Sequence, residues 1–393
     1  MPAESFTLAA AQVEPVYHDK EATLDRTCEW IERAGEQDVD LLVFPETYFP
    51  GYPYWRRSVS IPRWTELMVE LQQNSLSVGD DALDVLGDAI READLHVALG
   101  ANELDDRAGS ETLYNSVFWF DRSGDLVRRH RKLMPTHGER SIWGRGDPAS
   151  LATHDTDLGT LGGLVCYENH MTLSKAALAT MGEEIHAAVW PGFWRQNGHP
   201  GDKSRAESAE DVDTCDIYPA VREYAFETQS FVVSCSAYMG DPPEGYEDEL
   251  GYDLGAGGSM LINPAGVVKA GPVVGEEALL TAEFDRDERR ATKAYFDAMG
   301  HYSRWDAVNL EISDEVLEPV HRHAHDGTAW DGRYEAPAAN GTRDGAKANG
   351  ARRRSGPSNA DQLSPAEAAD IADEHDVPVD AIEDVAAALR GRD

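Results

Sequence analysis

Up to about residue 305 the chain alternates between short apolar runs and stretches where apolar residues recur at helical spacing. Runs rich in β-branched and aromatic side chains predict strands at residues 6–13 (FTLAAAQV), 41–44 (LLVF), 96–101 (HVALGA) and 116–120 (SVFWF). Further strands are predicted at 161–166 (LGGLVC), 185–189 (IHAAV), 231–236 (FVVSCS), 259–262 (SMLI) and 278–282 (ALLTA). Between them, Leu24, Cys28 and Ile31 recur at i, i+4, i+7, and Leu83, Leu86 and Ile90 at i, i+3, i+7. Each set places one apolar stripe on a helix. Strands alternating with helices predict an α/β protein whose sheets are covered by helices.

The pattern changes beyond that point. His321, His323 and His325 lie two apart and would share one face if extended. That spacing permits a metal site, but no nearby carboxylate or cysteine pattern supports one, and a solvated or contact-forming tail is expected instead. Residues 335–362 contain no Val, Ile, Leu, Met, Phe, Tyr or Trp, which predicts a flexible linker. Ser364, Pro365 and Glu367 then read as an N-cap, a proline at N1 and a capping-box glutamate. Pro378 divides the C-terminal segment into two short helices, one carrying Ile371 and the other Val379, Ile382, Val385 and Leu389. So small a core predicts docking onto the body or a partner. The expected organisation is a main body over residues 1–305, an extension making oligomer contacts over 306–334, a linker over 335–362 and a helical appendage over 363–393.

Charge alters the picture in one respect. The chain holds 35 Lys+Arg against 72 Asp+Glu, a net −37 with an isoelectric point near 4.6. So acidic a surface repels nucleic acid and anionic membranes, and neither is an expected partner. Lysine is scarce, seven residues against 28 arginines. Abundant carboxylates with little lysine resemble proteins adapted to molar salt, where counterions screen the repulsion. The alternative is an ordinary acidic protein with an acidic tail, but the acidity runs through the whole chain. The four cysteines show no CxxC pairing or disulfide-framework spacing, and the N-terminus lacks a basic region and signal-type apolar core. No run approaches the ~18 apolar residues of a membrane span. A soluble protein in a reducing, cytoplasmic setting is expected.

Three polar residues end apolar or strand-like runs. Glu46 follows LLVFP, Lys132 sits in HRKLMP and Cys166 follows LGGLV. In α/β sheets reactive side chains gather at the carboxyl ends of strands. A thiol, a carboxylate and an ammonium suffice for attack on an electrophilic carbon bound to nitrogen. The carboxylate accepts the thiol proton, and the ammonium stabilises developing negative charge. Each residue also has a plain reading: a buried small hydrophobe, a helix-cap partner, and one more base beside Arg128, Arg129 and Arg131. His137, His154, His170, His186 and His199 show no HExxH or ligand spacing, and no Walker or dinucleotide glycine fingerprint occurs. Neither a metal nor an organic cofactor is expected.

The words around these residues resemble the nitrilase branch of the carbon–nitrogen hydrolase superfamily. Glu46 lies in FPETYFPGYPYW (44–55), similar to that branch's glutamate motif, and Lys132 lies in RKLMPTHGER (131–140), followed by WGRGD (143–147). Cys166-Tyr167-Glu168-Asn169 resembles the cysteine motif, and GHYSR (300–304) the C-terminal signature. The matches occur in family order across about residues 6–310. Two departures stand out. Tyr167 follows the nucleophile position where the branch usually has Trp, as amidase-like branches often do, and Trp305 stands where Pro is common.

The resemblance implies a four-layer αββα sandwich, dimers that extend it, and larger homo-oligomers built through C-terminal segments. It implies Cys166 as nucleophile, Glu46 as general base and Lys132 as the cation beside the tetrahedral centre. Glu139 matches a second glutamate that holds Lys132 or orients water; its plain reading is a charge partner for Arg140. The backbone N–H of Tyr167 is a candidate partner for developing negative charge. Trp190, Phe193 and Trp194, in VWPGFW, either line the substrate pocket with Tyr167 or pack in the core. The expected activity is hydrolysis of an organic nitrile to acid and ammonia. An amidase or nitrile-hydrating enzyme of the same superfamily is the alternative, and a non-catalytic binding or assembly protein a second.

Overall fold

Two six-stranded sheets carry the fold. In chain order the first half contains β1 (Ser5–Gln12), α1 (Lys20–Gly35), β2 (Leu41–Val43), α2 (Ile61–Asn74), α3 (Asp81–Ala93), β3 (His96–Leu104), β4 (Leu113–Phe120) and β5 (Leu126–Arg131). Then come β6 (His154–Thr156), β7 (Gly159–Val165), α4 (Thr172–Thr180), β8 (Ile185–Trp190), a small hairpin of β9 (Trp194–Gln196) and β10 (Lys203–Arg205), and α5 (Ile217–Thr228). The body ends with β11 (Phe231–Ser236), β12 (Gly257–Ile262), β13 (Val268–Val274), β14 (Ala278–Asp285) and α6 (Arg286–Tyr295). One sheet has the order β14-β1-β2-β3-β4-β5, the other β13-β12-β11-β8-β7-β6. β1, β2 and β3 run parallel, as do β7, β8 and β11.

This computed structural model describes residues 2–198, 202–250 and 254–316. The His321/His323/His325 triplet, the expected linker and the expected helical appendage lie outside the described residues. Among the described residues no helix is long and apolar enough to cross a membrane.

Strand alternation explains the layering. Successive side chains point to opposite faces, so each buried strand feeds two cores. Leu8, Ala10, Val43, Val117 and Trp119 face the space between the sheets and join Leu161, Val165, Val189, Val233 and Leu261 there. Their neighbours Ala9, Leu42, Leu99 and Phe118 face outward and pack with Ile31, Leu86 and Ile90 of α1 and α3. On the far side, Leu178 of α4 and Val221, Tyr224 and Ala225 of α5 close the second sheet. The result is the expected αββα sandwich.

Helix α3 buries the expected stripe of Leu83, Leu86 and Ile90, and Asp80 caps it by accepting from the Ala82 N–H at 3.0 Å. Such a cap contributes about 1 kcal/mol. Helix α1 turns differently from its apolar spacing. Thr23, Thr27, Trp30, Ile31 and Ala34 are buried, while Leu24 and Cys28 sit at the stripe's edge, partly buried. The two threonines tolerate burial because their hydroxyls donate to the carbonyls of Val16 and Thr23, at 2.8 and 2.6 Å.

Strand β5 departs from the expected pattern, because its sequence is LVRRHR. It forms at a sheet edge, paired with β4 in the register Val117↔His130 and Phe118↔Arg129. That register turns His130 inward with Val117 and sends Arg129 and Arg131 to the outer face, where buried Glu103 receives both.

Candidate active site

Four of the expected residues leave strand ends or the turns just beyond them. Glu46 stands three residues past β2, Lys132 one past β5, Glu139 in the short helix His137–Ser141 and Cys166 one past β7. β2 and β5 end at the same edge of the first sheet, because β2 is parallel to β3 and two antiparallel pairings restore that direction at β5. The chain after β2 folds back over β3, where the Phe44 and Phe49 N–H groups donate to the carbonyls of Ala98 and Gly100 at 2.8 and 3.1 Å. Gly100 permits this crossing. A Cβ there would lie 1.8 Å from the Pro45 carbonyl oxygen, immediately before Glu46.

The centre is a buried ion cluster. Lys132 Nζ donates to Glu46 Oε1 and to Glu139 Oε2, each at 2.8 Å. Asn115 Nδ2 also donates to Glu46 Oε1, at 2.6 Å. The Tyr52 hydroxyl donates to Glu139 Oε1 at 2.6 Å, and the Thr136 N–H to Glu139 Oε2 at 2.7 Å. Glu46 and Lys132 are almost wholly buried, at 0% and 1% exposure. Glu46 Oε2 is also buried and has no hydrogen-bond partner among the described residues.

Burial pushes the Glu46 carboxyl up to about 7; Lys132 opposes the rise, and the nearby Glu139 charge reinforces it. Glu139 goes the other way. Burial works against its charge too, but Lys132, the Tyr52 hydroxyl and the Thr136 N–H together hold it below the ordinary carboxylate range. Burial disfavours the Lys132 ammonium, yet Glu46, Cys166 and Glu139 outweigh burial and hold it protonated well above the ordinary lysine value. Glu46, more deeply buried and beside the Glu139 charge, and Glu139, with more donors, thus acquire opposite tendencies.

Cys166 opens the short helix Cys166–His170 with φ +54°, an unusual conformation for a non-glycine residue. Burial, then the Glu46 charge, drive its thiol well above the ordinary value, against Lys132 and the Tyr167 N–H, which favour the thiolate. The resting group is therefore a thiol whose conjugate base meets a cation and a backbone donor. Among the described residues no cluster of His, Cys, Asp and Glu could hold a metal ion.

The aromatic candidates divide. Trp190 and Phe193 are buried in the apolar core that also contains Cys166. Trp194 is half-buried and packs against a separate aromatic cluster that includes Tyr52, Tyr54 and Trp143. Tyr167 is half-buried; its hydroxyl donates to Asp216 Oδ2 at 2.6 Å and is met by the Lys203 ammonium. Asn115, Tyr52 and Thr136 were not singled out from the sequence. Asn115 had a readable signal, a polar residue that with Ser116 interrupts the mostly apolar strand LYNSVFWF.

A family model for carbon–nitrogen hydrolases matches residues 7–294. An aliphatic nitrilase of Rhodococcus rhodochrous is 34% identical over 329 residues, covering 81% of this chain and 82% of that protein. A cyanide hydratase of Stereum hirsutum is 33% identical, covering 83% and 88%. Among solved structures, Saccharomyces cerevisiae Nit3, a member of branch 10 of the nitrilase superfamily, overlays with a TM-score of 0.56 at 19% identity, covering 77% of this chain and 97% of that one. An amidase from Nesterenkonia sp. overlays with a TM-score of 0.52 at 18% identity, covering 75% and 95%. With a family match over residues 7–294, relatives 33–34% identical over 81–83% of the chain and the same two-sheet fold, the chain belongs to the carbon–nitrogen hydrolase family, in its nitrilase branch.

Proposed function

We propose that the protein hydrolyses an organic nitrile to a carboxylic acid and ammonia, with Cys166 as nucleophile and Glu46 as proton carrier. One observation carries this reading. Glu46 is a buried carboxylate with one oxygen bound to Lys132 and Asn115 and the other unpaired among the described residues. An anion so short of donors favours taking a proton, and its affinity near neutrality suits a group that must both accept and return one.

Glu46 takes the Cys166 proton as sulfur adds to the nitrile carbon. Nitrogen gains a proton from Glu46, and a thioimidate forms. A water adds across the C=N bond, its proton passing through Glu46 to nitrogen. The hydroxyl proton of this adduct then passes through Glu46 to nitrogen as the C–N bond breaks, ammonia leaves, and a thioester remains. A second water releases the acid and restores the thiol. Lys132 stabilises negative charge as it develops, the Tyr167 N–H assists from the backbone, and Glu139 holds the ammonium in place. Two waters are consumed per nitrile, and these residues handle each proton.

Trp190, Phe193 and Trp194, with Tyr167, form the proposed pocket wall, suited to aryl, arylaceto or bulky aliphatic nitriles. Leu173 at 70% exposure and Tyr302 at 65% leave apolar area that supports a homo-oligomer, which light scattering would test. We place the enzyme in the cytoplasm.

The test follows acid, amide and ammonia together from the first minutes on a small nitrile panel, with Cys166→Ala as control. Acid with equimolar ammonia, absent from the control, is the expected result. Dominant amide would instead support the second reading, nitrile hydration, which the relatives named cyanide hydratase favour.

A further inference from the structure

The turn that presents Cys166 and the strand end that presents Lys132 come from different sheets. One side chain ties them together. Glu168 Oε2 accepts from the Val165 N–H at 2.8 Å, and Glu168 Oε1 accepts from the Leu133 N–H at 2.6 Å. Val165 immediately precedes the thiol residue, and Leu133 immediately follows the ammonium residue. The carboxylate is itself anchored. His130 Nε2 donates to Glu168 Oε2 at 2.9 Å, while His130 Nδ1 lies 3.0 Å from the Ser150 carbonyl. Both side chains are wholly buried.

We propose that Glu168 is a positioning residue of this enzyme: its two oxygens fix the Cys166 turn and the Lys132 strand end relative to each other, and His130 fixes Glu168. The inference rests on the roles proposed above for Cys166 and Lys132. Three features carry it. A carboxylate is the one side chain that offers an acceptor on each of two oxygens, which two diverging backbone donors require. Burial works against its charge, but His130 and the two backbone N–H groups hold Glu168 below the ordinary carboxylate range, so both oxygens stay acceptors. And the turn it holds needs holding, because a non-glycine residue at φ +54° persists only where its surroundings over-determine it. Asn169 adds a second brace by donating to the Cys166 carbonyl at 2.9 Å.

Glu168→Gln tests the clamp. Glutamine keeps the size but places an NH2 group against one of the two backbone donors, so the turn and the strand end move apart. The kcat should fall by ~10²-fold, the cost typical of a sub-ångström to ångström misplacement, with KM changed less than about threefold. A merely structural role would leave the pH profile in place. Positioning predicts that its acid limb moves above about 7, because a displaced Lys132 no longer favours the Glu46 anion as strongly. His130→Gln removes one donor and leaves the carboxylate; kcat should fall by roughly tenfold with a smaller shift in the same direction. All rates are taken per folded molecule, measured by near-ultraviolet circular dichroism. Losses that track only the folded fraction, or an unmoved limb with kcat within about threefold of the parent, would overturn the proposal. If Glu168→Gln does not fold, His130→Gln decides on the same readouts. Turnover retained in Cys166→Ala would instead refute the nucleophile assignment, a separate failure.

Discussion

Alternate residues of β5 and its end feed two buried charge clusters on opposite faces of one sheet, and the two are built differently. On the outer face, Glu103 receives Arg129 and Arg131 at 2.5 Å and the Ser116 hydroxyl at 2.5 Å, while Arg131 also lies 3.6 Å from Asp105. On the inner face one ammonium, Lys132, serves two carboxylates, and one oxygen of Glu46 has no partner among the described residues. Both carboxylates are fully buried, so burial alone does not make a proton carrier. What distinguishes Glu46 is a shortage of donors, which leaves its anion poorly stabilised and an oxygen free to be protonated.

The comparison breaks most sharply by mutation. Cys166→Ala, Glu46→Gln and Lys132→Ala should each lower turnover by more than ~10³-fold in folded protein. Glu103→Gln should do the opposite, costing about 3 kcal/mol of stability by leaving buried guanidinium charge under-compensated, with kcat per folded molecule within about threefold of the parent. Equal catalytic loss in both clusters, measured against melting curves, would show that the inner cluster acts through stability. Alanine at Cys28, Cys215 or Cys235 should leave turnover unchanged.

Protonation sharpens it next. Glu46 must be ionised to accept the thiol proton, and its carboxyl lies near 7, so kcat/KM should rise with pH up to about that value. Below it, each pH unit costs about tenfold. Glu139 is held low and should contribute no limb in that range. A profile flat down to the ordinary carboxylate range would remove Glu46 from this role.

Salt is expected to act on the surface and spare the buried clusters. At −37 the folded state repels itself, and the screening length shrinks to ~3 Å at 1 M. The melting temperature should rise between roughly 0.1 and 2 M KCl, where that screening saturates. A constant or falling value would refute salt adaptation. The smallest expected effect is that of Tyr167→Phe, which removes the bond to Asp216 and the contact with Lys203. A change of about tenfold or less in KM, or in the acid-to-amide ratio, is expected from a bond that borders Cys166 without touching the cluster.

Much of the fold was legible because its signals are local. Nine apolar runs became strands, and the α3 stripe faces the core as its spacing predicts. β5 was illegible because its polarity is satisfied from distant parts of the chain. Glu103 accepts from Arg129 and Arg131, and Glu168 from His130, across sequence separations that no window spans. Helix α1 was misaligned because Thr23 and Thr27 satisfy their hydroxyls on backbone carbonyls, and a hydrophobicity count scores them as exposed.

At the site the division has the same cause. Residue type and motif order determined by themselves which thiol, carboxylates and ammonium are available, since reactivity begins with the functional group and its place at a strand end. Only the tertiary structure decided that, among the described residues, Glu46 keeps an unpaired oxygen while Glu139 does not. It also decided that Glu168 spans both sheets, and that His130 faces inward while its neighbours Arg129 and Arg131 face out. Those are properties of register and burial. A donor's partner, and the dielectric in which a charge sits, come from chain segments brought together by packing, so they exist only once the sheets have closed on each other.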